Sequence, residues 1–505
     1  MDKTAPETFQ QILSYLDEPL APYASVSRRF QHVIERKTFA AVRTHSTEAA
    51  LAEFDSVFAD ARRRSLVRKL DFYVDLPDIS KKRFKKLQSS REAADNDATF
   101  SRAVSGLFTR LHGWADALGD PEQAQPFHLA VSSASPKDGY VPDSPNSHGA
   151  DPAWPIRNWF KYIQLEGVRE LPVLPFVTAY SDSGRRIHPS AVATIWQALP
   201  RIKMVRWRHY TAPRRLAALK TRLRASLSSA LLLPDFSRLE TLAIYHEDSD
   251  PLNHNWEPES LLDAGNRDAL SRAINRVLRL PSIRKVKLTG TWILSPEVFA
   301  VDDDDGDESP FRALEDLELG VSAMTPAGGW YFTGDRASAP ASSERDESDS
   351  EAEHSRAAFD SQDSEASDFL PEFEWARLDG DIPYADFRRH PDAATLDPFL
   401  VAVARAVVRM PALRRFECAF SRQASLEYWG PTQERDRVMS DDFNRFLDAA
   451  PGHGRWRMDF ETDMQPRPNQ DPVLPHWELP AELVRLLDSA DHRIYFTRGH
   501  RRVQL

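Results

Sequence analysis

The side chains best able to do chemistry are few and widely separated along this chain of 505 residues. An acidic run occupies residues 302–308, the single cysteine is Cys418, and His246 and His254 lie near carboxylates. Carboxylates and imidazoles bind divalent metal ions, and a thiolate can act as a nucleophile. Each possibility requires a spacing or an environment that the sequence can test.

The acidic run does not have the spacing of a calcium-binding loop. An EF-hand loop requires glycine at position six and glutamate at position twelve. With Gly306 at position six, position one is Val301 and position twelve is Arg312. We therefore interpret residues 302–308 as a solvated loop.

Cys418 and the histidines also favour structural roles. Cys418 falls at an inward position of a predicted strand, where burial raises the pKa of a thiol and makes it a poor nucleophile. His246 and His254 lie near Glu247 and Asp248, and a polar loop explains them better than a metal site. No phosphate-binding-loop, dinucleotide-binding, serine-hydrolase or zinc-protease motif occurs. The sequence predicts a non-catalytic protein with no cofactor and no metal site.

Basic clusters at residues 62–64, 68–69 and 81–86 suggest a nuclear import signal or contacts with nucleic acid. Single-strand binders interleave such clusters with stacking aromatic residues, which are few here. A solvated helix face followed by a loop is therefore favoured. Nucleic-acid association through region 62–86 stays open as an alternative.

Composition bounds the class of protein. Hydrophobic residues make up 41% of the chain, enough for a substantial core, and one cysteine excludes a disulfide scaffold or a thiolate zinc site. No apolar run approaches the ~20 residues that cross a bilayer, and the first residues are polar, so we expect no membrane contact and a cytoplasmic or nuclear location.

The formal net charge of −11 is concentrated in two segments. Residues 336–369 hold ten Asp or Glu against three Lys or Arg, and residues 302–308 hold six carboxylates. We interpret 336–369 as a disordered acidic insertion, since it has too few apolar residues to form a core. The rest of the chain is near neutral, so the global charge does not define a partner.

An internal repeat indicates the elements that must position any binding surface. A helix-like stretch that ends at Pro200, Pro281 or Pro411 continues into a short run of alternating apolar residues. The apolar spacing is L-x-x-L-x-L, and it recurs twice without the proline and twice more loosely. The positions are Ile202, Val205, Trp207; Ile283, Val286, Leu288; Leu413, Phe416, Cys418; Leu239, Leu242, Ile244; Leu314, Leu317, Leu319; Val67, Leu70, Phe72; and Phe160, Ile163, Leu165.

Each copy predicts a helix followed by a strand, and stacked copies would share one core. The pattern resembles leucine-rich repeats, although Tyr245, Gly290 or Gly320 stands near the usual Asn or Cys. We predict an α/β fold in which an irregular leucine-rich-repeat-like solenoid follows an N-terminal helical module. A non-repetitive α/β domain is the alternative.

Residues 6–45 carry the most specific pattern in the chain. Phe9, Ile12, Leu13 and Leu16 recur at i, i+3, i+4 and i+7, which predicts one apolar face of a helix. A short second helix would follow Pro19, and a third would span residues 28–39. Three helices of this size bury little surface, so they suggest docking against something else.

These residues resemble an F-box. The resemblance covers about forty residues and rests on Ile12-Leu13-Ser14-Tyr15-Leu16 and Val26-Ser27-Arg28-Arg29-Phe30. Ala5 replaces the leucine that usually precedes the proline of this motif. An F-box followed by strand and helix repeats is similar to the F-box/leucine-rich-repeat architecture of many fungal-type proteins.

The resemblance implies a substrate-recruiting adaptor of an SCF-type cullin-RING ubiquitin ligase. The F-box would bind a Skp-type linker, and through it a cullin, while the rest of the chain binds a protein target. Carried over from the family, the linker-facing residues are Pro6, Phe9, Ile12, Leu13, Leu16, Leu20, Val26 and Phe30. A non-ligase scaffold with a degenerate F-box is the alternative of a different class.

The predicted organisation is an F-box at 1–45, a repeat region at 46–335, the acidic insertion at 336–369, and a continuation of the repeat region at 370–505. If the strands pack as in leucine-rich repeats, side chains between the core positions form an exposed face. The candidate substrate-binding residues on it are Arg206, Arg208, Tyr245, Lys287, Glu318 and Glu417. Their charges predict a face that runs from basic to acidic along the array.

Overall fold

The computed structural model describes most of the chain between residues 20 and 420. The described residues are 8, 11, 15, 20–79, 88–115, 125–136, 161–301, 309–336, 376–385, 387–420, 424–429, 455–460, 480–488, 493–498 and 501–504. The predicted acidic segments at 302–308 and 337–369, and the basic run at 81–86, lie outside them. The chain divides into two units, Met1–Arg206 and Trp207–Leu505. Among the described helices, none has the length and apolarity needed to cross a membrane.

Parallel strands form the sheet of the first unit in the order of the chain. They are β1 (Ala41–His45), β2 (Lys69–Asp75), β3 (Phe127–Ala134) and β4 (Val177–Gly184), followed by the start of β5 (Met204–Tyr210). Burial alternates along β2, where Leu70, Phe72 and Val74 are buried and the residues between them are half-exposed. This period of two places one face of the strand in the core.

Helices of the first unit other than the first begin at residues whose side chains cap them. The helices are α1 (Ala21–Ala24), α2 (Arg28–Thr38), α3 (Glu48–Val57), α4 (Ala61–Arg64), α5 (Ser90–His112) and α6 (Pro189–Gln197). At α5, the Ser89 side chain accepts from the backbone N–H of Glu92, whose carboxylate accepts from the Ser89 backbone N–H. This capping box satisfies two N–H groups that the first turn leaves without helical partners.

The second unit continues with parallel strands. Here β6 (Thr241–Glu247), β7 (Lys285–Trp292), β8 (Asp316–Val321) and β11 (Arg415–Phe420) pair in that order. The sheet then extends through β12 (Ala424–Trp429), β13 (Arg455–Phe460), β14 (Arg493–Arg498) and β15 (Arg501–Gln504), of which only the β13–β14 pair is parallel. A separate antiparallel pair joins β9 (Phe332–Thr333) to β10 (His390–Pro391).

A row of helices accompanies the parallel strands of the second unit. It consists of α7 (Ala217–Leu232), α8 (Ala269–Leu278), a 3-10 helix (Pro296–Phe299) and α9 (Ala393–Val407), with α10 (Ala481–Asp488) beside α9. Aromatic rings join these helices to the strands, since Phe299 contacts Phe416 and Phe399 contacts Phe420, at centroid distances of 6.3 and 5.4 Å. Aromatic pairs of this kind contribute beyond the apolar area that they bury.

The predicted α/β class is confirmed, and the repeat pattern located six of its strands. The three copies with a proline lead from α6 to β5, from α8 to β7 and from α9 to β11. The two copies without one correspond to β6 and β8, and one looser copy to β2. All apolar positions predicted in these six copies are buried.

The other looser copy was wrong as a strand. Ile163 makes only an isolated bridge to Ile187, and the strands in this part of the chain are β3 and β4. The carboxyl-terminal half of β4 reads Ser-Asp-Ser-Gly, so polar residues hide its alternation. The spacing of apolar residues predicts a strand only where apolar side chains occupy its alternate positions.

Gly290 allows the close approach of two backbones at the carboxyl ends of β6 and β7. Its φ is +85°, a conformation that residues with a Cβ rarely adopt. A Cβ added there would overlap the backbone carbonyl of His246, and one added at Gly320 would overlap that of Gly290. Glycine therefore stands at positions 290 and 320 for a steric reason.

We predict that Gly290→Ala lowers the free energy of unfolding by more than about 2 kcal/mol, because strain in φ and a backbone overlap add together. Urea denaturation followed by tryptophan fluorescence measures the loss. Gly167→Ala is the matched control, since Gly167 has a φ of +71° but no atom within 4 Å of an added Cβ. An equal loss in both variants would show that the overlap with His246 carries no cost.

Candidate partner-binding surfaces

The described part of the N-terminal module is a small helical cluster. The Ser27 hydroxyl accepts from the Phe30 backbone N–H at 3.2 Å and starts α2. Leu20 and Ile34 are buried, and Tyr23, Ala24, Phe30 and Val33 pack against them. This cluster gives α1 and α2 an apolar core of their own.

The predicted linker-facing residues separate into two groups where the structure describes them. Leu20 and Phe30 pack within the cluster, whereas Val26 is 62% exposed. Tyr15, in the same sequence motif, is 78% exposed. Pro6, Phe9, Ile12, Leu13 and Leu16 lie outside the described residues.

Arginines of the first basic cluster donate hydrogen bonds inside the first unit. Glu35 on α2 is buried and accepts from Arg62 and, at 3.1 Å, from Arg63. Arg64 donates to the backbone carbonyls of Phe58 and Ala59. The interpretation of residues 62–64 as a merely solvated helix face was therefore incomplete, because these charges connect α2 to α4 and to the end of α3.

The candidate substrate-binding residues of the second unit lie on one face of its sheet. The register places Lys287 beside Glu318 and Glu318 beside Glu417 on neighbouring strands. Lys287 forms an ion pair with Glu318 at 2.7 Å. Arg415, two residues before Glu417, contacts Glu417 and lies 3.8 Å from Glu318. The predicted gradient from basic to acidic was wrong at its acidic end, because Arg415 makes that end mixed in charge.

An arginine held between aromatic rings forms the other end of this face. The Arg208 guanidinium lies 5.3 Å from the Tyr210 ring and 5.2 Å from the Tyr245 ring. Tyr245 is 43% exposed, and Arg208 is exposed as well. Arg206, the last residue of the first unit, is also exposed. Tyrosine and arginine are the side chains most enriched where protein partners bind tightly.

The predicted environment of Cys418 is confirmed, whereas that of the two histidines was wrong. Cys418 is fully buried in β11, and burial raises the pKa of its thiol well above its usual value. His246 and His254 are also buried rather than part of a polar loop. His254 Nδ1 accepts from the backbone N–H groups of Phe387 and Arg388, at 2.9 and 2.8 Å. Among the described residues, no group of three or more potential ligands could hold a metal ion.

Sequence reasoning missed a group of buried charges behind this face. His209 and His246 have their Nδ1 atoms 2.9 Å apart, next to the ion pair of Lys220 and Asp248. The signal was present in the sequence, since each histidine continues the apolar alternation of its strand at an inward position. A histidine at the same level of two adjacent strands predicts a contact between their rings.

Arg214 fixes the segment that follows the acidic insertion. Its side chain is 3% exposed and donates to the backbone carbonyls of Asp379 and Ser249. Its guanidinium also lies 3.4 Å from Asp381 Oδ1. Burial, together with the charges of Asp248 and Asp381, raises the pKa of Asp379 to about 6.

No protein-family model matches this chain, and no curated protein matches it. Any function assigned to it rests on its own residues and contacts.

We predict that Glu35→Gln loosens α2, because it leaves Arg62 and Arg63 without their buried carboxylate. The free energy of opening of α2 should fall by about 1–3 kcal/mol. Amide hydrogen exchange of residues 28–38 in the full chain measures it. The matched control is Glu53→Gln, which changes an exposed glutamate on α3. Equal exchange in the two variants and the parent chain would contradict the role of Glu35.

The same carboxylate predicts acid sensitivity of α2. Burial raises the pKa of Glu35. Hydrogen bonds from Arg62 and Gln31, together with the nearby arginine charges, lower it by more than burial raises it, so the pKa lies below its usual value. A lowered folded-state pKa stabilises above the pKa of the unfolded carboxyl, about 4.3, and this contribution is lost as the pH falls through the folded-state pKa. The protection factors of the α2 amides, which are corrected for the intrinsic pH dependence of exchange, should therefore fall with acid more in the parent chain than in Glu35→Gln.

The raised pKa of Asp379 predicts that stability depends on pH in the opposite sense. Its folded-state pKa is raised, so the folded state binds the proton more tightly, and stability falls as the pH rises from about 4 to above 6. Asp379→Asn should raise the free energy of unfolding by about 1–3 kcal/mol at pH 7 and have little effect at pH 4. Urea denaturation at both pH values tests this, with the exposed Asp235→Asn as control. An equal effect at both pH values would contradict it.

Proposed function

We propose that the chain is a non-catalytic adaptor that recruits a protein target to an SCF-type ubiquitin ligase. Its N-terminal module would bind a Skp-type linker, and the chemistry of ubiquitin transfer would belong to other subunits. The observation that carries the proposal is the F-box-like pattern of residues 6–45, in which the apolar Tyr15 and Val26 side chains are left in water. Exposed apolar side chains of this kind favour a protein partner.

The mode of target recruitment follows from the repeat pattern. Strands β6, β7, β8 and β11 are parallel and adjacent in the order of the predicted copies, with alternate side chains buried. This arrangement supports a leucine-rich-repeat-like solenoid, whose other face stays available to a target. The exposed Arg208 and Tyr245, followed by Lys287, Glu318 and Glu417, would form the recruiting surface.

The contacts of Glu35 hold α2 of the linker-binding module against α4 within the first unit. A linker-binding module held in this way suits an adaptor better than a loosely tethered one. Both Arg62 and Arg63 bind Glu35 of α2 and lie on α4, within the first unit. Because the Glu35 carboxylate contacts two guanidinium groups, it restricts rotation of α2 more than a single ion pair would.

We predict that the full chain binds a purified Skp-type linker and that Val26→Asp weakens this binding at least about tenfold, because a carboxylate would be desolvated at the interface. Calorimetric titration of the linker measures the affinity. Val173→Asp is the matched control, since Val173 is 47% exposed and lies outside the F-box-like pattern. The double variant Leu13→Asp, Leu16→Asp should abolish binding.

Two results would contradict the adaptor proposal. One is the absence of binding by the parent chain, which would favour a scaffold with a degenerate F-box. The other is an unchanged affinity in both Val26→Asp and the double variant, which would place the contact elsewhere.

A further inference from the structure

Helix α2 carries a row of exposed basic side chains. Arg28, His32 and Arg36 are exposed, and their spacing of four residues places them along one side of the helix. Eight residues of α-helix rise about 12 Å, which is the length of this basic row. Lys37 is exposed next to Arg36 and adds another positive charge at the same end. The basic row is the most regular pattern of charge in the N-terminal module.

The fold itself supplies no counter-charge to the basic row. Within the described ranges, no ion pair includes Arg28, His32 or Arg36. Glu35 is the single acidic residue in the sequence of α2, and it is buried and accepts from two arginines of α4 instead. The charges of the row therefore face water.

The position of the basic row is unfavourable for α2 itself. Arg28 is the first residue after the N-cap Ser27, where the positive end of the helix dipole favours carboxylates. Like charges four residues apart on a helix also repel each other. Burial, followed by the charge of Arg36, lowers the pKa of Arg68, so these two guanidinium groups lie close enough to repel as well. An acidic surface placed over the row would relieve all of these repulsions.

The inner side of α2 holds the basic row in one orientation. Ile34 packs with Leu20 in the apolar cluster, and Glu35 binds the two arginines of α4. Both contacts lie within the first unit, and they fix which side of α2 faces outward. A partner would therefore meet a preformed set of donors, which lowers the entropic cost of binding.

An apolar side chain next to the basic row favours a protein partner over a nucleic acid. Val26 lies two residues before Arg28 and is 62% exposed. Protein interfaces combine an apolar centre with a charged border, so a protein surface can cover Val26 and neutralise the row together. A phosphate backbone offers no apolar surface for Val26, and an aliphatic side chain provides no ring on which a base could stack.

We propose that the basic row of α2 binds carboxylates on the surface of the Skp-type linker. The proposal rests on the adaptor role and adds the chemistry of the partner surface, which is an apolar area over Val26 bordered by acidic side chains. A guanidinium binds a carboxylate through two parallel N–H donors, so Arg28 and Arg36 fix orientation as well as attract. Charges at the border of an interface act mainly on the rate of association and on its dependence on salt.

Calorimetric titration of a purified Skp-type linker into the full chain tests the proposal. The affinity of the parent chain should fall about tenfold or more between about 50 and about 500 mM sodium chloride, because salt screens exposed charges. The double variant Arg28→Gln, Arg36→Gln should bind about fivefold or more weakly than the parent at the lower salt concentration, and within about twofold of it at the higher. The matched control Arg272→Gln, Arg276→Gln removes two exposed arginines from α8 and should bind within about twofold at both.

A charge reversal separates binding of the linker from stability of α2. Arg28→Glu places a carboxylate at the positive end of the helix dipole, so amide exchange of residues 28–38 should not accelerate. The same variant should bind the linker about tenfold or more weakly at the lower salt concentration, since a carboxylate would then face carboxylates. Affinity equal to that of the parent chain, with α2 still protected from exchange, would overturn the proposal.

The possible outcomes separate this proposal from the adaptor role. Absence of linker binding by the parent chain would overturn both. Binding that is independent of salt and unchanged in the double variant would overturn the role of the basic row and leave the adaptor role intact. A mobility shift of random duplex DNA by the parent chain that the double variant loses would assign the row to nucleic acid and overturn the proposal as well.

Discussion

The alternation of side chains along parallel strands is the constraint on which the candidate partner-binding face of the second unit depends. Because successive residues face opposite sides, the same strands that bury Leu242, Val286 and Leu317 must present a second set of side chains on the other face. The parallel register then places Lys287 next to Glu318. A slip of one residue would bury these charges without partners, so the apolar core itself holds the exposed face in place.

Much of this arrangement could be predicted from sequence, for a physical reason. Three apolar residues at alternate positions of a strand show which of its side chains point toward the core. The predicted outward residues of β6, β7, β8 and β11 are accordingly on the exposed face. What could not be predicted is which charges meet. Arg415 approaches Glu318 only because β11 lies next to β8, although 93 residues lie between the end of β8 at Val321 and the start of β11 at Arg415. Pairing between distant segments is a property of the register, and local spacing does not contain it.

In the N-terminal region, too, the sequence did not predict which charged side chains meet. Residues 62–64 read as a basic patch in the sequence, yet Arg62 and Arg63 bind a buried glutamate on α2 and Arg64 binds backbone carbonyls. Long basic side chains extend their stems over apolar surface, and here Arg63 lies over the Phe39 ring at 5.5 Å. A cluster of like charges is thus a surface for nucleic acid only where its hydrogen-bond donors point outward. In residues 62–64 those donors point inward, where they connect α2 to α4 and to the end of α3.

The buried ion pairs behind β5 and β6 have a cost that core formation does not explain. Removal of Lys220, Asp248, Arg224 and Asp268 from water costs several kcal/mol per ion, and apolar residues of similar size often stabilise a core equally well. That cost is offset here by pairing, because Asp248 accepts from Lys220 at 2.8 Å and Asp268 accepts from Arg224 at 2.6 Å. Removal of one partner would leave the other charge buried and unpaired, directly behind the strands that present Arg208 and Tyr245.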